Sequence, residues 1–329
     1  MSLARDEMAE QPAVVERLLR DCRTALQAAA ADIAARRPRF GVIAARGSSD
    51  NVGRYAQHLL GRFTGLPVAL ATPSLHTLYD APVDYRDALV LGISQSGASP
   101  DVAAVLEAAA QQDAITVAIT NEPDSLLARA ARHVIELRTG PERSVAATKT
   151  YTASLAAVAA LVRPDAPELA TLPDALARQL ARAVPDDTAA AWRDVAVIGR
   201  GVAYGTAFEA ALKLSELTGM VAVPWSTADF RHGPIAILTP GFPILAIAPK
   251  GPTLPGMREL LAAARGADIT AISDAPDLPG RTLALEPVPE WLSPLVAVIP
   301  AQQLAVGAAE ALGRDVDRPA GLRKVTRTS

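Results

Sequence analysis

One cysteine, Cys22, stands in the whole chain of 329 residues. An internal disulfide and any multi-cysteine metal site are therefore excluded. Lysine is nearly as scarce: Lys149, Lys213, Lys250 and Lys324 are all there are, and 28 arginines supply the rest of the positive charge. Where arginine serves for generic charge, a lysine marks a place that uses a compact amine. There is no basic excess, since the net charge is −3, so a nucleic-acid footprint is not expected. No apolar run reaches the ~20 residues of a membrane span. The longest, near 153–162 and 295–306, are short, alanine-rich or interrupted by Pro300, Gln302 and Gln303. The N-terminus is charged from Arg5 to Glu10, unlike a signal peptide. A dinucleotide fingerprint is missing too, because Arg46-Gly47-Ser48-Ser49-Asp50-Asn51 lacks the G-x-G-x-x-G spacing. The expectation is a cytoplasmic protein that uses no metal or other cofactor and binds no nucleic acid or membrane.

What the chain does have is a hydrophobic content of 50%, enough for a sizeable core, and a length that implies about two domains. The most informative stretch runs from Asp87 to Ser99. The apolar run 88–93 reads as a strand buried on both faces. It ends in Ser94-Gln95-Ser96-Gly97-Ala98-Ser99, followed by Pro100, Asp101 and an alanine-rich run. Ser99 suits a helix N-cap, Pro100 the first helical position and Asp101 the first turn. Hydroxyls and backbone N–H groups between a strand end and a helix start can cradle a phosphate. An ordinary serine-rich turn before a capped helix has the same composition.

Strands and helices alternate along the chain. Strands are expected at 40–45, 66–71, 88–93, 115–119 and 134–137, and helices at 11–37 (one amphipathic lead-in), 52–63, 102–110 and 149–162. Prolines cluster between 163 and 187, after which the pattern restarts. Gly201 follows Gly47 by 154 positions, Leu245 follows Leu91 by the same interval, and two further strand pairs match at similar spacing. This is an internal duplication in an α/β chain: two units, each a parallel sheet flanked by helices on both faces. The expected divisions are a lead-in helix over 1–37, a first domain over 38–163, a linker over 164–187, a second domain over 188–313 and a tail over 314–329. The copies differ at their strand ends. The first has RGSSDN and SQSGAS, the second RGVAYG and APKGPT. Ligands of such sheets bind outside the carboxyl ends of the strands, so the first copy is the one expected to hold an anion.

These residues resemble the sugar isomerase (SIS) family, and in particular the isomerase half of glucosamine-6-phosphate synthase. Arg46-Gly47-Ser48-Ser49 resembles C-G-T-S of that family, and Ser94–Ser99 resembles S-Q-S-G-E-T. Val145-Ala146-Ala147-Thr148-Lys149 resembles V-A-S-T-K, and the run from Glu209 to Glu216 resembles E-G-A-L-K-L-K-E. Arg231-His232-Gly233-Pro234 resembles K-H-G-P. The end of the chain, from Asp315 to Pro319 with Leu322-Arg323-Lys324, resembles D-V-D-x-P…L-A-K. Glu7 to Pro12 resembles the lead-in to that half. Arg46, Ala98 and Ala147 depart from the pattern, and no glutaminase domain is expected.

The resemblance implies a sugar-phosphate substrate. Its phosphate would lie on Ser49, Ser94, Gln95, Ser96 and Ser99, with Ser48 and Val145 also touching the sugar. Glu216 would be the base moving a proton between C1 and C2, His232 the residue that opens the ring, and Lys213 and Lys324 further site residues. The family also implies a homodimer in which the His232 loop reaches the neighbouring subunit's site. The expected activity is that of an amino-sugar-phosphate deaminase or isomerase, with glucosamine 6-phosphate giving fructose 6-phosphate and ammonia. Another SIS-type ketose–aldose isomerase, a deglycase acting on a sugar-phosphate–amine adduct and a non-catalytic sugar-phosphate sensor are the alternatives. Lys213 and Glu216, three apart on a helix, would also suit a surface ion pair, and Thr206-x-x-Glu209 has the spacing of a capping box. His58, His76, His133 and Cys22 are read as structural.

Overall fold

The structure, a computed structural model, describes residues 2–324. It divides into two compact units whose sequence segments interleave. The first unit takes Gln11–Glu142, Lys149–Leu172 and, at the end of the described chain, Arg323 and Lys324. The second takes the N-terminus to Glu10, Arg143–Thr148 and Pro173–Leu322. The first helix, α1 (Leu3–Ala9), thus belongs to the second unit.

The first unit runs α2 (Gln11–Asp21), α3 (Arg23–Arg36), β1 (Phe40–Ala45), α4 (Ser48–Thr64), β2 (Val68–Leu70), α5 (Ser74–Thr77) and β3 (Ala88–Ile93). It continues with α6 (Pro100–Ala110), β4 (Ile115–Thr120), α7 (Leu126–Arg129), β5 (His133–Glu136) and α8 (Lys149–Val162). The sheet is parallel with strand order β2-β1-β3-β4-β5. Every residue of β3 and β4 is buried, as unbroken apolar runs require when helices cover both faces. Val102, Val105, Leu106 and Ala109 of α6 pack on Val90 and Ala118 in one core cluster. The expected single lead-in helix is two. The chain leaves helical geometry at Cys22, whose thiol donates to the Glu136 carbonyl at the end of β5.

The second unit contains α9 (Leu172–Leu180), β6 (Asp194–Gly199), α10 (Tyr204–Thr218), β7 (Val221–Ser226), α11 (Thr227–Arg231), β8 (Pro243–Ile247), α12 (Leu254–Ala263), β9 (Asp268–Ser273), β10 (Arg281–Ala284) and α13 (Ser293–Ala311). Its sheet order is β10-β9-β8-β6-β7, again parallel. Counted from its own first strand this is the order of the first unit, so the duplication read from spacing is a duplication of topology. β7 is not among the strands expected from the sequence, and it contains a proline, Pro224. It lies at the sheet edge and pairs only with β6, where a missing N–H can be borne. The segment 290–311 is long and apolar enough to cross a membrane, yet 94% of its most apolar window is buried inside the protein. It packs chiefly on α10.

Candidate functional site

In each sheet the chain moves from its first strand to one side and then returns to the other. The crevice between first and third strands is where such folds take ligands. In the first unit Ala45 of β1 pairs with Ile93 of β3. Arg46 and Ser94 are the next residues on each strand, so the RGSSDN and SQSGAS loops lie side by side. Each leads directly into a helix, α4 at Ser48 and α6 at Pro100. Two helix N-termini therefore face one crevice. As expected, Ser99 is the N-cap residue and Pro100 the first helical residue, although the Ser99 side chain makes no capping bond.

The SQSGAS loop is held by its carbonyls. Gln95 O accepts from Asn121 N at 3.0 Å and from Thr120 Oγ1 at 3.2 Å, and Gly97 O accepts from Leu127 N at 3.1 Å. Ser94 Oγ accepts from Gly97 N at 3.2 Å and Ser96 Oγ from Ala98 N at 3.4 Å. Each of these hydroxyls still has its own O–H to donate. The side chains of Ser49, Gln95 and Ser99 make no hydrogen bond among the described residues. Gly97 has φ +57°, and a Cβ there would run into Ser125. Only glycine lets the loop lie this close to the start of α7. Asp50, in the first turn of α4, has its carboxyl pushed up by burial, with Arg54 and Arg46 acting against that shift.

At the corresponding position of the second unit, Thr253 at the start of α12 lies close to the loop after β6. A Cβ at Gly201 would meet Thr253 Cγ2 at 2.9 Å, while one at Gly47 in the first unit would meet nothing within 4 Å. The two copies thus differ in structure, as they do in sequence, at the residue after the first strand.

Lys213 and Glu216 lie on α10 of the second unit. They do not form a surface pair, as Lys213 is only 3% exposed against 24% for Glu216. The Lys213 ammonium donates to Glu216 and stands 3.6 Å from the fully buried Glu209 carboxylate. One cation thus serves two carboxylates, and Glu216 is the member of the set with access to solvent. The capping-box reading of Thr206 and Glu209 fails. The helix already begins at Tyr204, which puts Thr206 in its first turn, and its buried hydroxyl has no partner among the described residues. His232 follows α11 and is exposed.

Val145 lies in the second unit on a loop held from two directions. Glu7 of α1, buried, accepts from the main-chain N–H groups of Arg143 and Ser144 and from the Ser144 hydroxyl. The Val145 N–H donates to Asp317 O at 3.1 Å. The Asp317 carboxylate in turn accepts from the N–H groups of Leu3 and Ala4, at 3.0 and 2.8 Å, satisfying the open start of α1.

Lys324 belongs to the first unit with the serine loops. Its Nζ donates to Glu142 Oε2 at 2.8 Å. Glu142 is wholly buried and also accepts from Thr150 N and Thr150 Oγ1, at 3.1 and 2.6 Å. Glu142, Glu7 and the Arg46–Asp101 pair described below were not legible as site residues. Only the position of Glu142 and Glu7 beside family-like motifs hinted at them. The remaining histidines are engaged within the fold: His58 with Arg54 O, His76 with the Tyr85 hydroxyl and His133 with Asp32. Burial lowers the His76 pKa. No cluster of three acidic, histidine or cysteine side chains suited to a metal occurs among the described residues.

A model of the SIS domain matches residues 41–163 and again 190–310. The glutamine–fructose-6-phosphate aminotransferase (isomerizing) of Zymomonas mobilis is 34% identical over 97% of this chain and 57% of its own length. Its namesake from Methanothermobacter thermautotrophicus is 35% identical over 84% of this chain and 50% of its own length. This chain spans about half the length of these relatives. Among solved structures, a Silicibacter pomeroyi protein provisionally assigned as a phosphosugar isomerase matches with a TM-score of 0.90 and 33% identity, over 96% of this chain and all of that one. The glucosamine-6-phosphate deaminase of Thermotoga maritima matches in fold, with a TM-score of 0.78 at 19% identity over 99% of this chain and 100% of its own. With the family model falling on both sheets, and with a relative 34% identical over 97% of this chain, this chain is a member of the SIS-domain family and carries the domain twice.

Proposed function

We propose that this protein is an amino-sugar-phosphate deaminase of the isomerising type, turning glucosamine 6-phosphate and water into fructose 6-phosphate and ammonia. One observation carries the reading. The first-copy loop keeps serine hydroxyls with a proton still to donate, while α10 keeps a solvent-reaching carboxylate, Glu216, paired to a buried lysine. A sensor would need only the former. In the proposed reaction the phosphate rests on Ser49, Ser94, Gln95, Ser96 and Ser99, which fixes the reacting carbons through remote binding energy. Ser48 and Val145 touch the sugar. His232, contributed across a homodimer interface, passes the proton that opens the ring. Glu216 takes the C2 proton and returns it to C1, which converts the open aldose to the C2 imine of the ketose. Water adds at C2 and ammonia leaves. Lys213 holds Glu216, and Lys324 lies toward the sugar oxygens. Proton transfer and imine hydrolysis need acids and bases alone.

The test is incubation of the protein with glucosamine 6-phosphate, with and without EDTA. Ammonia and fructose 6-phosphate should appear in equal amounts in both, and Glu216→Gln should abolish solvent-proton exchange at C1 and C2. Saturable substrate binding with no turnover would overturn the reading in favour of a sugar-phosphate sensor.

A further inference from the structure

Arg46 stands where the family motif quoted above has a cysteine. Its guanidinium is held by a carboxylate 55 positions away: Nε and Nη2 lie 2.8 and 2.7 Å from Asp101 Oδ2. Asp101 is only 1% exposed, whereas Arg46 is 49% exposed. The second oxygen of Asp101 accepts from Val102 N at 2.9 Å. Nη1 of Arg46 has no hydrogen-bond or ion-pair partner among the described residues.

The placement follows from the fold. Arg46 is the first residue after β1, next to Ser94 on the neighbouring strand, and Asp101 is in the first turn of α6 just beyond Ser99. The Arg46 side chain reaches from the end of β1 to Asp101. Its head group arrives at the start of α6, where the N–H groups and hydroxyls favour an anion. Asp101 alone would oppose an anion there, and Arg46 neutralises it. Of the neighbouring charges, Asp50 pairs with Arg54 at 3.0 Å and also feels the charge of Arg46.

We propose that Arg46 binds the phosphate group of the substrate directly, donating from Nη1, with Asp101 as the positioning residue that aims the guanidinium into the serine loop. The proposal rests on the reading that the first-copy loops hold the substrate phosphate. It assigns this chain a phosphate monoester dianion as ligand, gripped by a guanidinium as well as by neutral donors. A guanidinium fixed on one edge by a buried carboxylate keeps its other edge oriented for a second anion, and such charge-assisted bonds are roughly twice as strong as neutral ones.

Inorganic phosphate is the probe, titrated calorimetrically into the full chain in four forms: wild type, Ser96→Ala, Arg46→Lys, and Arg46→Ala with Asp101→Asn. The double variant removes both charges of the pair, so the buried Asp101 carboxylate is not left unpaired to unfold the protein. Circular dichroism checks its fold. The expected result is that the double variant loses ~10-fold or more in phosphate affinity. The lysine variant, which keeps the charge on Asp101 but lacks the fork, should lose several-fold, and it decides between the outcomes if the double variant does not fold. Wild-type affinity in the double variant, or in the lysine variant in that case, would show that Arg46 serves only to neutralise Asp101 and would overturn the proposal. If Ser96→Ala weakens binding while those forms do not, the loop reading stands and only the role of Arg46 falls. If wild type binds no phosphate, the loop reading falls and takes this proposal with it.

Discussion

Replacing Gly97 by alanine should unseat the phosphate loop, and the structure sets the size of the effect. The backbone sits at φ +57°, a left-handed conformation that costs a residue with a Cβ about 1–2 kcal/mol. The new methyl would also run into Cβ and Oγ of Ser125, with Thr120 Oγ1 at 3.0 Å on another side. Ser125 cannot yield freely, because its hydroxyl caps α7 by accepting from Ala128 N at 3.3 Å. Losing such a cap costs about 1 kcal/mol. Relief by moving the loop instead would break the bond from Leu127 N to Gly97 O, worth about 1 kcal/mol. The expected loss is therefore about 2–3 kcal/mol, which for a domain of this size lowers Tm by roughly 4–12 °C. Thermal unfolding by circular dichroism, with and without inorganic phosphate, reads both effects. Gly97→Ala should unfold earlier and show no phosphate-induced rise in Tm. The double variant Gly97→Ala, Ser125→Gly removes the overlap at a capping cost of only a few tenths of a kcal/mol, but keeps the left-handed residue, so it should recover about half of the loss. A Gly97→Ala protein that melts with the wild type and still responds to phosphate would refute the reasoning.

Thr253→Ala removes the methyl that crowds Gly201 in the second copy but should leave the phosphate response unchanged; loss of the response would move the anion to that copy. Glu142→Gln should free Lys324, raising the rate of tryptic cleavage after that residue ~10-fold through local opening; an unchanged rate would mean the ion pair does not hold the tail. Arg182 and Arg178 hold the Glu286 carboxyl below its ordinary range, through bonds of 2.7 and 2.6 Å. A depressed acid contributes stability that is full above its unfolded pKa and is lost as pH falls through the folded one. Stability should thus decline on the acid side of the usual glutamate range. Glu286→Gln should flatten that decline, and an unaltered acid limb in pH-dependent urea melts would contradict it.

The sequence by itself determined the parts of this protein that depend on near neighbours. Fully apolar runs became β3 and β4, the Ser99-Pro100-Asp101 signal marked the start of α6, and a repeat near 154 residues became two sheets of one topology. The serine loop was legible because strand, loop and helix follow one another without interruption. Tertiary structure decided what spacing cannot carry. Lys213 and Glu216 share a helix face by sequence, but only the packing of α10 shows that face to be largely buried. Pro224 is tolerated in β7 because that strand lies at a sheet edge, which strand order alone decides. Thr206 looked like a cap until the helix was found to begin before it. The residues that hold the candidate site rigid are partners across long separations: Arg46 with Asp101 over 55 positions, Glu7 with Ser144 over 137, Glu142 with Lys324 over 182. Such pairs leave no periodic trace, since their energy comes from burial and charge at a meeting point that the folded strand order alone creates.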